Sequence, residues 1–326
     1  MLAISEGCSM DLTEGKNMGT KPRIIIIAGG TGYLGRALAA SFVACGDRVM
    51  ILTRTPQPAQ QSITFLPWDG QSRGAWYDAL NGATAIINLA GRSVNCRYSA
   101  INRQAIYDSR LNSTRILGEA ILACDQPPPV WLNASSATIY RHALDRPMDE
   151  LTGDLGTGFS VDVCQRWEAA FFTSQTPQMR KVALRAAMVF GPGSGGVMDA
   201  FRNMVRCGLG GTMGNGQQFV SWIHLDDFVS SIDWLIEHET MEGPVNLAAP
   251  NPRTNADFMQ ILRLVCQQPL GLPATRWMLE VGAFFLRTET ELLLKSRRVI
   301  PTRLLEAGFQ FRYPDWYHAA ESIMQA

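Results

Sequence analysis

"RIIIIAGGTGYLGRALAASFVACGDRVMILTR" (residues 23–54) is the stretch on which the fold turns. Residues 23–28 form a short β-branched run, which suits a parallel strand buried on both faces. Beyond the glycines, Leu34, Leu38 and Phe42 recur every four residues and mark one face of a helix. Residues 49–53 are apolar again and make a second strand. Between strand and helix stand Gly29, Gly32 and Gly35, spaced GxxGxxG. The first permits a sharp turn and the second lets backbone approach a pyrophosphate. The third lets the helix pack closely, with its N-terminus facing the phosphates. Such spacing also occurs in ordinary βα turns. Between a buried strand and an amphipathic helix it points to a dinucleotide-binding fold.

The end of the second strand selects the cofactor. An NAD site places an acidic residue there for the ribose hydroxyls. This chain reads Thr53-Arg54, with no carboxylate until Asp69. A guanidinium suits a 2′-phosphate, so NADP is expected in preference to NAD. Arg36, just past the third glycine, either completes that clamp or is simply solvated.

The alternation continues outward. Residues 63–66 and 83–89 read as strands and 100–124 as a long helix, stopped by the prolines of "DQPPP". Residues 130–135 are a strand, 159–175 a helix and 181–190 a strand. The expected class is α/β, a Rossmann doubly wound parallel sheet. Ligands on such sheets sit beyond the carboxyl ends of the strands. "PWDG" (67–70), "NLAG" (88–91) and "SSATIY" (135–140) therefore surround one crevice. The expected cofactor contacts are Gly29, Thr31, Gly32, Tyr33, Leu34, Gly35 and Arg36, then Arg54, Asp69, Leu89, Ala90 and Gly91.

Composition bounds the rest. A chain of 326 residues, 46 % hydrophobic and 18 % charged, can bury one large core and a smaller lobe. Lys plus Arg and Asp plus Glu both total 29, which offers no field for gathering nucleic acid. The seven cysteines are scattered without a CxxC pair. That pattern argues against a disulfide framework or metal site and for a reducing cytoplasm. The longest apolar tract, residues 277–294, is broken by Glu280, Arg287, Glu289 and Glu291. It reads as a helix with a wet face and not as a membrane span. Residues 1–20 lack an apolar run of secretory length and read as a disordered leader.

With these segments in hand, the chain resembles the extended and atypical short-chain dehydrogenase/reductases. More narrowly it is similar to the epimerase family of NADP-binding proteins. The narrow likeness runs through "IAGGTGYLGRAL", "WDG", "NLAG", "SRLNSTRIL", "WEAA", "VFGPGSGGVM", "SWIHLDD" and "GPVNLAAP". It closes on "IPTRLLEAGFQFRYP", which resembles that family's C-terminal domain of unknown function. The resemblance implies a Rossmann domain over residues 21–190, rejoined by 218–248. A small, mostly helical substrate lobe would come from 191–217 and 249–326. The glycine-rich loops "GPGSGGVM" and "GLGGTMGNGQ" suit either close ligand approach or plain turn chemistry.

The resemblance also implies a catalytic set, and here the chain departs from the extended enzymes. Ser136 matches the serine that hydrogen-bonds the reacting oxygen, the plainer alternative being a strand-end turn hydroxyl. The helix after it should carry a tyrosine acid/base and a lysine four residues later. With Glu168 aligned to a glutamate often found beyond that lysine, Ser160 and Cys164 occupy the two positions. Bringing a tyrosine from a pKa of ~10 to ~7 amounts to about 4 kcal/mol, to which the cation normally contributes. Without it, proton abstraction from an alcohol is crippled, while reduction suffers less because the acid enters protonated. Tyr140, at the end of the same strand as Ser136, is expected to face the crevice as pocket wall or substitute acid. Cys164 reads more simply as a packing residue.

Two further departures concern substrate. Arg110 falls where extended relatives carry an asparagine of the proton relay; it binds an anionic substrate or makes a structural salt bridge. Nucleotide-sugar enzymes often read Arg-Asp-aromatic-Ile-His where this chain reads Val220-Ser221-Trp222-Ile223-His224. The phosphate-holding arginine is absent, Trp222 is left as a substrate-facing aromatic, and His224 is expected to anchor the second lobe. The resulting expectation is a cytoplasmic NADP-binding reductase of a small carbonyl compound, a monomer or homodimer without nucleic-acid or membrane partners. Its rivals are a non-catalytic NADP(H) sensor and, third, a nucleotide-sugar epimerase or dehydratase.

Overall fold

The computed structural model describes residues 21–275, 278 and 294–326. The expected leader (1–20) and nearly all of the apolar tract (277–294) lie outside the described residues. The first strand, β1 (Ile24–Ala28), is buried on both sides, as its unbroken apolar run requires. Ile25 and Ile27 enter one core, shared with α1 (Tyr33–Ala44) through Leu38 and Phe42. Ile26 and Ala28 enter a second core on the opposite face, shared with α2 (Ala100–Leu122) and with Phe171 of α3 (Phe159–Phe172). Alternation along a strand divides them. Each buried isoleucine contributes roughly 1.5–3 kcal/mol, so the strand is locked between two helical layers.

β2 (Arg48–Thr53) and β3 (Ile63–Pro67) lie on one side of β1; β4 (Ala85–Asn88), β5 (Val130–Ser136) and β6 (Arg180–Ala186) lie on the other. The chain returns after β6 to add β10 (Gly243–Leu247) at the far edge, so the parallel sheet has seven strands, ordered β10-β6-β5-β4-β1-β2-β3. Reversal of direction at β1/β4 opens the crevice over the first glycine turn.

Residues 181–190 do not form one strand. β6 stops at Ala186; Ala187 donates its N–H to Leu247 O, and β7 (Met188–Phe190) leaves the sheet. It pairs instead with β9 (Trp222–His224), which follows the short β8 (Phe219–Val220). This change of partner starts the second lobe. Its core gathers Phe190, Phe201 from α4 (Val197–Arg206), Phe258 from α6 (Asn255–Val265) and Trp316 from the final helix, Trp316–Gln325. Phe258 and Trp316 stack at 4.1 Å, and Trp316 Nε1 donates to Phe258 O.

The blocks "SWIHLDD" and "IPTRLLEAGFQFRYP" meet at the lobe's seam. Asp227, on α5 (Leu225–Glu237), accepts N–H groups from Arg312 at 2.7 Å and Tyr313 at 2.9 Å. His224 caps α5 by accepting from Asp226 N–H, lies 4.0 Å from the Tyr313 ring and reaches Ser322 Oγ at 3.3 Å. It ties β9 to the final helix. Burial lowers its pKa to about 4 and, with backbone donors opposing, raises that of Asp227 to about 6.

Candidate active site

Two cavities open at the carboxyl end of the sheet. The larger, about 920 Å³, runs over the glycine turn and the tips of β2, β3 and β4. Gly29, Thr31, Gly32, Arg54, Asp69, Leu89, Ala90 and Gly91 all line it. Gly29 holds φ +76°, and a Cβ there would sit 3.0 Å from Ala90 Cα. Gly35 packs more tightly still: its Cβ would fall 2.4 Å from Gly30 Cα. Gly32, by contrast, meets nothing closer than 3.7 Å and caps α1 with no side-chain acceptor. The first turn of α1 therefore presents uncapped N–H groups across an open glycine surface, which fits a pyrophosphate.

The β2 tip also fits a 2′-phosphate. Thr53 is buried, with Oγ1 accepting from Thr55 N–H, and exposed Arg54 follows it. Asp69, at the next strand tip, accepts N–H groups from Gln71 and Ser72 at 2.8 Å each, which lowers its pKa. Arg36 lies along the turn, donating to Thr31 O at 2.8 Å, and lines neither cavity.

The smaller cavity, about 440 Å³, adjoins the first: Gly91 lines one, Arg110 lines the other, and a Cβ on Gly91 would lie 3.2 Å from Arg110 Cζ. Tyr33, Leu34, Arg110 and Ser136 face it, as do Ser160 and Cys164. The two α3 positions expected to hold a tyrosine and a lysine thus do face a cavity, but with a hydroxyl and a thiol. Burial pushes the Cys164 thiol up to about 12, so it stays protonated at neutral pH. Ser136 Oγ donates to Thr138 Oγ1 at 3.0 Å and accepts from Thr138 N–H, capping a 3₁₀ turn at the cavity wall. Tyr33 explains one glycine-rich loop: its hydroxyl donates to Pro192 O, and a Cβ on Gly196 would fall 2.9 Å from its Cζ.

Two expected site residues are corrected. Tyr140 does not face the crevice. It is 0 % exposed, its hydroxyl donating to Asn246 Oδ1 at 3.0 Å and accepting from Arg185 Nη1 at 2.9 Å. Arg185 draws it inward, because that buried guanidinium needs acceptors beyond the two bonds, 2.8 Å each, that it gives Glu168. Trp222 does not face substrate either. It is buried among the second lobe's aromatic rings, with Nε1 donating to Asn251 O.

Several supporting contacts escaped the sequence reading. Asn88 Oδ1 accepts from Ala90 N–H and so shapes "NLAG". Its Nδ2 donates to Asn133 Oδ1 at 2.7 Å. Trp167 Nε1 donates to Thr114 Oγ1. Glu168 accepts from Ser135 Oγ at 2.7 Å as well as from Arg185. The available signal was an asparagine or arginine set in an otherwise apolar strand, which must find a buried partner.

The sequence pattern of the NAD dependent epimerase/dehydratase family matches residues 25–248, and a domain of unknown function, DUF1731, matches 274–323. The chain belongs to this epimerase/dehydratase family. An epimerase family protein of Mycobacterium leprae is 34% identical over 298 residues, spanning 90% of this chain and 93% of its own. Human epimerase family protein SDR39U1 is 30% identical over 305 residues, 92% of this chain and 99% of its own. The crystal structure of its isoform 2, solved with NADPH, superposes with a TM-score of 0.81 at 29% identity, covering 93% and 99% of the two chains. A protein of Corynebacterium glutamicum described as a nucleoside-diphosphate sugar epimerase superposes with a TM-score of 0.74 at 28% identity. That match covers 93% of this chain but 59% of the other.

Proposed function

We propose that the chain is an NADP-dependent oxidoreductase that reduces a small carbonyl compound. The observation that carries the reading is the adjacency of two spaces at Gly91 and Arg110. One is a groove with uncapped helix N–H groups and Arg54 at the β2 tip; the other is a small cavity bearing Ser136. Human SDR39U1, solved with NADPH, supports the same cofactor for this chain. Gly29, Gly32 and the first turn of α1 would hold the pyrophosphate and Arg54 the 2′-phosphate. When bound, NADPH supplies hydride chemistry at the reacting carbon. Ser136 Oγ–H turns from Thr138 Oγ1 to donate to the carbonyl oxygen, while the Thr138 N–H keeps Ser136 Oγ in place. With Tyr140 withdrawn from the cavity, water delivers the proton that completes the alcohol.

NADPH consumption across a panel of aldehydes and ketones tests this. Turnover is expected, with Ser136→Ala lowering kcat about a hundredfold, as for loss of one oxyanion donor. Arg54→Ala should weaken NADPH binding about tenfold and leave NADH nearly unchanged. A second reading, a non-catalytic NADP(H) sensor, is favoured by one observation: among the described residues no tyrosine–lysine pair faces Ser136 across the cavity. Tight NADPH binding with no turnover on any carbonyl, in wild type and Ser136→Ala alike, would select the sensor.

A further inference from the structure

We infer that the smaller cavity is a carboxylate site, in which Arg110 holds the anionic end of the substrate. Arg110 projects from α2 over the Trp167 indole, its Cζ 5.0 Å from the ring centroid. Its protein bonds run from Nη1 to Arg92 O at 3.0 Å and Ile106 O at 3.2 Å. Both acceptors are neutral. Among the described residues no carboxylate pairs with this guanidinium, whereas Arg185 is locked to Glu168 and Arg141 to Asp145 and Asp154. Burial without a counter-charge lowers the Arg110 pKa. A half-buried cation left without an anion is disfavoured, and a ligand anion relieves that.

Geometry sets the class of ligand. With Nη1 engaged by backbone, Nε and Nη2 remain as the planar two-donor edge that matches a carboxylate. The Trp167 face beneath prevents the fork from swinging into the core. Ser136 and Thr138 line the same 440 Å³, and Phe159, Val163 and Met188 supply apolar walls. The space therefore takes a small oxo-carboxylate, its acid group on Arg110 and its carbonyl toward Ser136. Among the described residues, the salt-bridge alternative open at the sequence level has no carboxylate to serve it. In the reduction the carboxylate is unchanged: the carbonyl carbon would gain hydride from NADPH, the oxygen a proton from water, and NADP⁺ and hydroxide would leave. That last step rests on the proposed reductase; carboxylate binding stands on the cavity alone.

Calorimetric titration of the whole chain, with and without NADP⁺, tests the inference. Benzoate is compared with benzamide, and acetoacetate with acetoacetamide. Wild type should prefer each carboxylate over its amide by tenfold or more. R110Q should lose that preference and keep NADP⁺ affinity within twofold, while R110K retains part of it. Equal binding of acid and amide by wild type overturns the inference, as does an undiminished preference in R110Q. A tenfold loss of NADP⁺ affinity in R110Q also overturns it, assigning the charge to cofactor phosphate. If R110Q does not fold, R110K and the wild-type comparison of acid with amide decide. Absence of NADP⁺ binding by wild type would sink the proposed function, yet the acid/amide comparison would still decide this site.

Discussion

The two cavities are cut into the same sheet edge but made of different material. The larger is built around backbone: glycines, a bare helix N-terminus and strand tips, with Arg54 and Asp69 among the side chains that line it. The smaller is built from side chains supplied by α2, α3, β5 and β7, each held by partners deeper in the molecule. A backbone-built site tolerates change around it and fails when a Cβ intrudes. A site built from side chains fails when its hidden supports are removed.

The largest effect should come from Glu168→Ala, which strands the buried Arg185 and frees Ser135. A loss of about 3–5 kcal/mol is expected, read by urea unfolding, because the remaining charge is left uncompensated. The surviving folded fraction should still bind NADPH. Loss of that binding in folded protein would break the distinction between the two cavities.

His224 tests the seam behind the β7 wall of the small cavity. Its folded pKa is lowered to about 4 from an ordinary 6.5, so the native state resists the proton that the unfolded chain accepts. That contribution is complete above pH 6.5 and is lost as pH falls towards 4. Asp227 works the other way: its pKa is raised to about 6, so its stabilising protonation is lost as pH rises from 3.8 to 6. The stability gap between wild type and His224→Asn should therefore narrow by up to about 3 kcal/mol between pH 6.5 and 4. Thermal melts at a series of pH values check this; a constant gap refutes it.

Gly35→Ala sharpens the backbone side of the comparison. Its Cβ would meet Gly30 at 2.4 Å, so α1 must back away from the turn. About 1–3 kcal/mol of stability should go, with NADPH affinity falling at least tenfold while carboxylate binding persists. The smallest effect belongs to Tyr140→Phe. It removes a hydroxyl between Asn246 and Arg185 and should cost about 1–3 kcal/mol at most, with turnover within twofold of wild type. A hundredfold loss of turnover would return Tyr140 to the reacting centre.

Much of the groove was legible in the sequence because its signals are local. Gly29, Gly32 and Gly35 act on their own turn, and Thr53-Arg54 ends its own strand. The smaller cavity was only half legible. The register of α3 brought Ser160 and Cys164 to the wall as the motif alignment implied. Tyr140 misled, because the partner that turns it inward, Arg185, lies far along the chain on β6. Trp222 misled for a similar reason: β7 and β9 pair away from the main sheet, and that carries the indole into the second lobe's core.

By itself the sequence determined the buried strands, the doubly wound order and the dinucleotide turn, since apolar runs and glycine spacing act over a few residues. Only the tertiary structure decided which polar side chains face the substrate space. A buried guanidinium or asparagine takes its partner from whichever element packs nearest, and that choice is made by packing across the molecule. So Arg185 took Glu168 and Tyr140, while Arg110, with no carboxylate beside it among the described residues, was left facing the cavity.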